Sequence, residues 1–178
     1  KGANAQLEEL SATDALTGVA NRRRFDTCLA EEVQRSHRHG AALALLMIDI
    51  DHFKRYNDLL GHPQGDSALQ AVAALLAQQA RRPGELVARV GGEEFALLLP
   101  HADRAAAATV AERCQSAMAM LALPHGASPT AAHVTLSIGV ALLRTRQRED
   151  PAAFVRRADA ALYAAKAAGR ARTVVDES

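Results

Sequence analysis

The sequence predicts an α/β chain of the α+β type: a mixed, largely antiparallel central sheet of about five strands flanked by helices. Three observations carry this. Stretches whose apolar residues recur with the helical period alternate with short apolar runs of strand length. The two runs on either side of Gly91 and Gly92 are close enough to pair as an antiparallel hairpin. The other runs are joined through helical stretches, which makes the sheet mixed and puts helices on it. With 178 residues, 49% hydrophobic and 23% charged, the chain is long enough to bury one full core.

Each element has its own justification. AQLEELSATD, residues 5–14, carries a short amphipathic pattern and the sequence has no initial Met, so residues 1–12 read as the end of a helix continuing from an upstream part of a longer protein; residues 13–178 form the domain. Asn21 can cap a helix that stops at Gly40, and residues 42–49 follow as a buried strand. A short helix over HFKRYNDLL ends at Gly61. GHPQGD, residues 61–66, reads as a loop with Asp66 where the next helix's N-cap belongs, after which Leu69, Val72, Ala73 and Leu76 share one face. The hairpin spans residues 86–99. An alanine-rich helix from Asp103 to about residue 121, a strand over 134–142, a helix with Asp150 at its cap and Pro151 at its first position, and a last edge strand RTVV complete the order. That last helix is read to end at Gly169, and PHGASPTAAH as a surface loop.

Composition narrows the function. A formal charge of +1, no Trp and 3% aromatic residues argue against a nucleic-acid surface of basic patch and stacking rings, leaving a small nucleotide open. No apolar run approaches the ~18 residues of a membrane span and no signal peptide is recognisable. The expected location is the cytoplasm, with membrane attachment of a longer parent protein left open. Cys28 and Cys114 fall in helical stretches without a Cys-x-x-Cys or Cys/His pattern and read as free thiols.

The chemistry sits in RVGGEEF and MIDIDHFK. The strand is apolar until Asp49, which is delivered to the sheet's rim, where a carboxylate can stay solvated; Asp51 falls on the same face if the strand continues. A hairpin paired beside it brings Glu93 and Glu94 to that rim. Carboxylates brought together repel unless a proton or a cation compensates. A hard divalent ion with substrate phosphates completing its shell is the usual solution and suits Mg2+. The plainer reading is that Glu93 and Glu94 solvate a turn and Asp49 ends a strand. Lys54 could meet a phosphate at the short helix's start, or be an exposed helix lysine. Asn57 and Asp66 carry the groups to accept from and donate to guanine's Watson–Crick edge, and both equally suit capping. Lys166 and Arg170 stand where helix C-termini favour cations anyway.

With these residues in view, the sequence resembles the GGDEF domain of bacterial diguanylate cyclases, in its GGEEF form, over nearly its whole length. DALTGVANRRRF, MIDIDHFKRYNDLLGHPQGD, RVGGEEF, TLSIGVA and ADAALYAAKAAGR stand in the family's order. The resemblance implies a nucleotidyl-cyclase, palm-like fold and a cyclase joining two GTP into cyclic 3′,5′-di-GMP with release of two pyrophosphates. It acts as a homodimer, with one GTP per domain, as the output of a protein with an upstream sensory domain. It implies that Asp49, the Ile50 carbonyl and Glu93 bind Mg2+ (or Mn2+), with Glu94 as the second catalytic acid. Asn57 and Asp66 would read guanine with His62 near the nucleotide. His52 and Phe53 amides, Lys54, Lys166 and Arg170 would hold phosphates, and Gly91 and Gly92 would let the backbone approach the nucleotide.

Two positions depart from the family. Its inhibitory RxxD, where cyclic di-GMP binds, reads RPGE here, Arg82 to Glu85, which implies weakened product inhibition. Val90 replaces the usual Tyr, with an expected modest effect on stability. A non-catalytic nucleotide-binding module and a dimerisation domain attached to the upstream helix remain as other readings; retention of the motif acids favours the cyclase.

Overall fold

The computed structural model describes residues 11–177. The upstream helix expected over residues 1–12 lies outside these residues, apart from Ser11 and Ala12. The described elements are α1 (Arg22–His39), β1 (Leu43–Ile50), α2 (Phe53–Leu60), α3 (His62–Ala77), β2 (Leu86–Arg89), β3 (Glu94–Pro100), α4 (Arg104–Leu121), β4 (Leu136–Leu142), α5 (Pro151–Ala167) and β5 (Thr173–Val175). The strands form one sheet in the order β2-β3-β1-β4-β5. β1 pairs antiparallel with both β3 and β4, β2 pairs antiparallel with β3, and β5 runs parallel to β4.

Helices cover both faces, which is why β1 reads as an unbroken apolar run: all eight of its residues are buried. Leu43, Leu45 and Met47 pack with Phe25, Leu29 and Val33 of α1 and Phe154, Ala158 and Leu162 of α5. Leu46 and Ile48 face the other way, among Leu69, Val72 and Leu76 of α3 and Val110, Cys114 and Met118 of α4. The caps read from sequence at Asn21 and Asp150 form, accepting from the amides of Arg24 and Ala153 at 2.9 and 2.7 Å, and Asp103, read as the first residue of its helix, is a cap as well, accepting from the Ala106 amide at 2.8 Å. Among the described residues no helix is long and apolar enough to cross a membrane.

The stretch GHPQGD differs from the reading as a loop. The chain breaks at Gly61, whose φ of 88° few other residues adopt, and α3 starts at once with His62. Pro63 sits in the first turn, where its missing N–H leaves no bond unmade. Asp66 is therefore inside the helix and is not its N-cap. Gly65 imitates a breaker for a tertiary reason: a Cβ there would lie 1.7 Å from the Asn57 Oδ1 of α2. At the other end α5 stops at Ala167, and Arg170 lies beyond it in the left-handed region, φ 64°.

Candidate active site

Alternation along β1 puts Asp49 on the face of Leu45 and Met47, under α5. It is not solvated there as expected: its side chain is 7% exposed, because the last turn of α5 closes over the strand end and brings the Lys166 ammonium to Asp49 Oδ2. The other oxygen, Oδ1, is buried without a hydrogen-bond partner. Asp51 does lie at the same rim, but both its oxygens are held, by the hydroxyls of Ser137 and Thr135 at 2.6 and 2.8 Å and by the Ala171 amide at 3.0 Å. It pins the segment after α5 to the end of β4.

The hairpin turn is fixed against β1 by its backbone. Glu94 lies opposite Asp49 in the ladder, and the Ile50 amide donates to the Glu93 carbonyl at 3.3 Å, which carries the pairing into the turn. The Arg89 guanidinium ties the tip, donating to the Gly92 carbonyl at 2.7 Å through Nη2 and pairing with Asp14 at 3.3 Å. Asp14 in turn accepts from the Thr17 amide and hydroxyl at 3.0 and 2.6 Å. Asp14 and Arg89 were not singled out as site residues in the sequence. The Asp-x-x-Thr turn was a readable signal for the first; nothing in the spacing paired it with the second.

Asp49, Ile50 and Glu93 line a cleft of about 160 Å³ together with Asp51, His52, Phe53, Lys54, Lys166 and Arg170. Glu93 is pushed up to about 7, first by burial and then by the charge of Asp49, with Lys166 opposing. Glu94 is raised as well, by burial and then by Asp159 and Asp49. It does not line the cleft. Asn57 packs against the first turn of α3 with its Oδ1 buried and unpartnered, while His62 and Asp66 are exposed on that turn. Gly91 and Gly92 are exposed, and a Cβ on Gly92 would meet open space. Remote from the cleft, Arg82 and Glu85 close a turn over Gly84, and the Glu85 carboxylate accepts from the Arg82 amide at 2.9 Å. They line a separate hollow of about 280 Å³ with Arg81 and Arg113.

The donor set fits a hard divalent cation. An unpartnered buried carboxylate oxygen faces a second carboxylate whose ionisation its surroundings oppose. Among the described residues no three His, Cys, Asp or Glu side chains form a cage, so substrate oxygens and water would have to complete the shell. Mg2+ is commonly held this way, on one or two carboxylates plus phosphates.

The family model described as "Diguanylate cyclase, GGDEF domain" matches residues 11–172. The chain belongs to the GGDEF family. GGDEF diguanylate cyclases depend on a divalent metal. The chain is 40% identical over 163 residues to diguanylate cyclase DgcP of Pseudomonas aeruginosa, covering 92% of this chain and 24% of that protein. It superposes on the GGDEF domain of DgcB from Caulobacter crescentus, solved in complex with c-di-GMP, with a TM-score of 0.85 and 36% identity, covering 94% of each chain. The active GGEEF domain of a Vibrio cholerae diguanylate cyclase matches at a TM-score of 0.79 and 32% identity, covering 90% of this chain and 99% of that one. The GGDEF domain spans 24% to 47% of the curated relatives it matches.

Proposed function

We propose that this GGDEF domain condenses two molecules of GTP into cyclic 3′,5′-di-GMP, releasing two pyrophosphates, as a cytoplasmic homodimer with one GTP per domain and as the output of a longer sensory protein. The observation that carries the reading is the meeting of Asp49 and Glu93 in one phosphate-sized cleft beside Lys54, Lys166 and Arg170. Asp49, the Ile50 carbonyl and Glu93 hold Mg2+ or Mn2+, which when bound would lower the cost of the 3′-alkoxide and screen charge at the α-phosphate. Glu94 supports that pair from the neighbouring ladder position as the second acid. The His52 and Phe53 amides with Lys54, Lys166 and Arg170 take the phosphates. The exposed Asp66 carboxylate accepts from guanine's N–H groups and the Asn57 side-chain amide adds a further hydrogen bond, with His62 at the nucleotide's edge. Two domains must then present their nucleotides to each other for in-line attack, so positioning supplies much of the acceleration.

Purified protein given GTP and Mg2+ is expected to release pyrophosphate and form cyclic di-GMP, with a rate that rises as the square of enzyme concentration while dimers are scarce. Chelation of the metal abolishes it, and Glu93→Ala lowers it at least about a hundredfold. GTP bound without product by protein at high concentration would refute the cyclase and favour a nucleotide-sensing module.

A further inference from the structure

We propose that His125, in the loop between α4 and β4, is a positioning residue for the nucleotide triphosphate, acting through the His52 peptide. The inference rests on the reading of the cleft as a GTP site. His52 joins β1 to α2 with φ 54° and ψ 35°, a left-handed conformation that a residue with a Cβ holds only when its surroundings impose it. That conformation turns the chain so that His52, Phe53 and Lys54 all line the cleft.

The imposing contacts come from the loop that the sequence reads only as surface. The His52 carbonyl accepts the Tyr56 amide at 3.1 Å and His125 Nε2 at 3.0 Å. A carbonyl only accepts, so His125 carries its proton on Nε2; its Nδ1 is then free to accept from the Ala127 amide at 3.3 Å. Both ring nitrogens are thereby used by a side chain that is 1% exposed. The ring also packs edge-on against Tyr56, with centroids 5.3 Å apart. From the same loop, Thr130 Oγ1 meets His52 Nε2 at 2.8 Å, so both ends of His52 are gripped. The loop is itself closed, by the His125 amide on the Ala132 carbonyl at 2.9 Å and the Val134 amide on the Leu123 carbonyl at 2.7 Å. It can therefore act as a clamp that keeps the amides of His52 and Phe53, and with them Lys54, at the phosphate cleft.

The test separates phosphate recognition from folding. Affinity is measured by calorimetry with Mg2+ for guanosine and for a GTP analogue whose α,β-bridging oxygen is a methylene and which cannot be cyclised. His125→Phe keeps the ring and its packing on Tyr56 but cannot donate; His125→Gln restores a donor. The expected result is that His125→Phe weakens the triphosphate about fivefold or more, leaves guanosine within twofold, and is rescued by His125→Gln. Thr130→Val, which leaves the buried ring in place, is expected to shift the triphosphate alone in the same direction by two- to threefold, and it decides the matter if His125→Phe does not fold. Equal weakening of both ligands, or no change in either, overturns the clamp. Wild-type protein that binds guanosine no worse than the triphosphate overturns the underlying GTP reading instead.

Discussion

One methylene separates Glu85 from the Asp that the inhibitory motif carries in the family, and the structure gives that methylene a use. The longer side chain folds back to its own turn and accepts from the Arg82 amide at 2.9 Å, so part of its capacity is taken before any ligand arrives. Glu85→Asp is expected to tighten inhibition by cyclic di-GMP about tenfold, roughly one charge-assisted hydrogen bond. A product titration on both proteins measures it, and equal inhibition constants would remove the idea. Residues of this kind are legible in type and illegible in engagement. Asp49, Glu93 and Asn57 could be picked from the sequence because carboxylates and amides stand out at the ends of apolar strands and short helices. The burial of Asp49 depends on Lys166, 117 residues away, and the use of Asp51 on Thr135 and Ser137. The role of His125 depends on a carbonyl 73 residues back.

Two glycines show what separates a structural element from a functional one. Gly139 of β4 lies under α5, where a Cβ would fall 2.1 Å from the Leu162 amide nitrogen and 2.4 Å from the Ala158 carbonyl. Neither helix nor strand backbone can yield, so Gly139→Ala is expected to destabilise by about 2–3 kcal/mol in urea denaturation. A Cβ on Gly65 of α3 would collide with the end of the Asn57 side chain, the next neighbour being the Phe53 ring in ordinary contact at 3.4 Å. Ala in a helix interior is better than Gly by about 0.5–1 kcal/mol, so Gly65→Ala should melt no lower than the wild type. It displaces the Asn57 amide, however, and is expected to raise the KM for GTP about tenfold. A fall in stability with KM unchanged would contradict the proposed role of Asn57. The same glycine explains the misread loop. Helices with Asn, Asp or Gly at their ends announce themselves locally, whereas Gly65 is there for a contact with another helix, and local rules take it for a stop.

At the scale of the molecule, the C-terminal segment is tied down by Arg157 of α5. Its guanidinium reaches Glu149 at 2.7 Å, Asp176 at 2.6 Å and the Leu142 carbonyl at 2.5 Å, with the Glu149 side chain 6% exposed. Burial alone would raise Glu149, but the hydrogen bonds from Arg157 and the Arg144 amide prevail and hold it below its ordinary range. A carboxylate depressed in the folded state stabilises above its unfolded pKa, and the contribution fades as pH falls through the folded value. Glu149→Gln is therefore expected to cost about 3 kcal/mol at pH 7 and to lose less on acidification below about pH 4.5 than the wild type. Urea titrations across that range test it; parallel acid limbs would refute it. The five-strand architecture was readable because its cause, apolar runs covered on both faces, is written locally in β1 and in the hairpin. The ties that fasten its ends were not, since each joins segments far apart in the chain. One consequence concerns permanence in time. β1 is bonded to a neighbour along both edges, whereas Gly91 and Gly92 form an exposed turn. Hydrogen exchange should accordingly be slowest at Met47 and Ile48 and fast at Gly92, with Gly91, whose amide donates to the Glu94 carbonyl at 3.2 Å, in between. Of the paired acids, one is thus seated in the slowest-opening strand and the other at the lip of a loop, and an ion shared between them would rivet the restless wall of the cleft to the steadfast one.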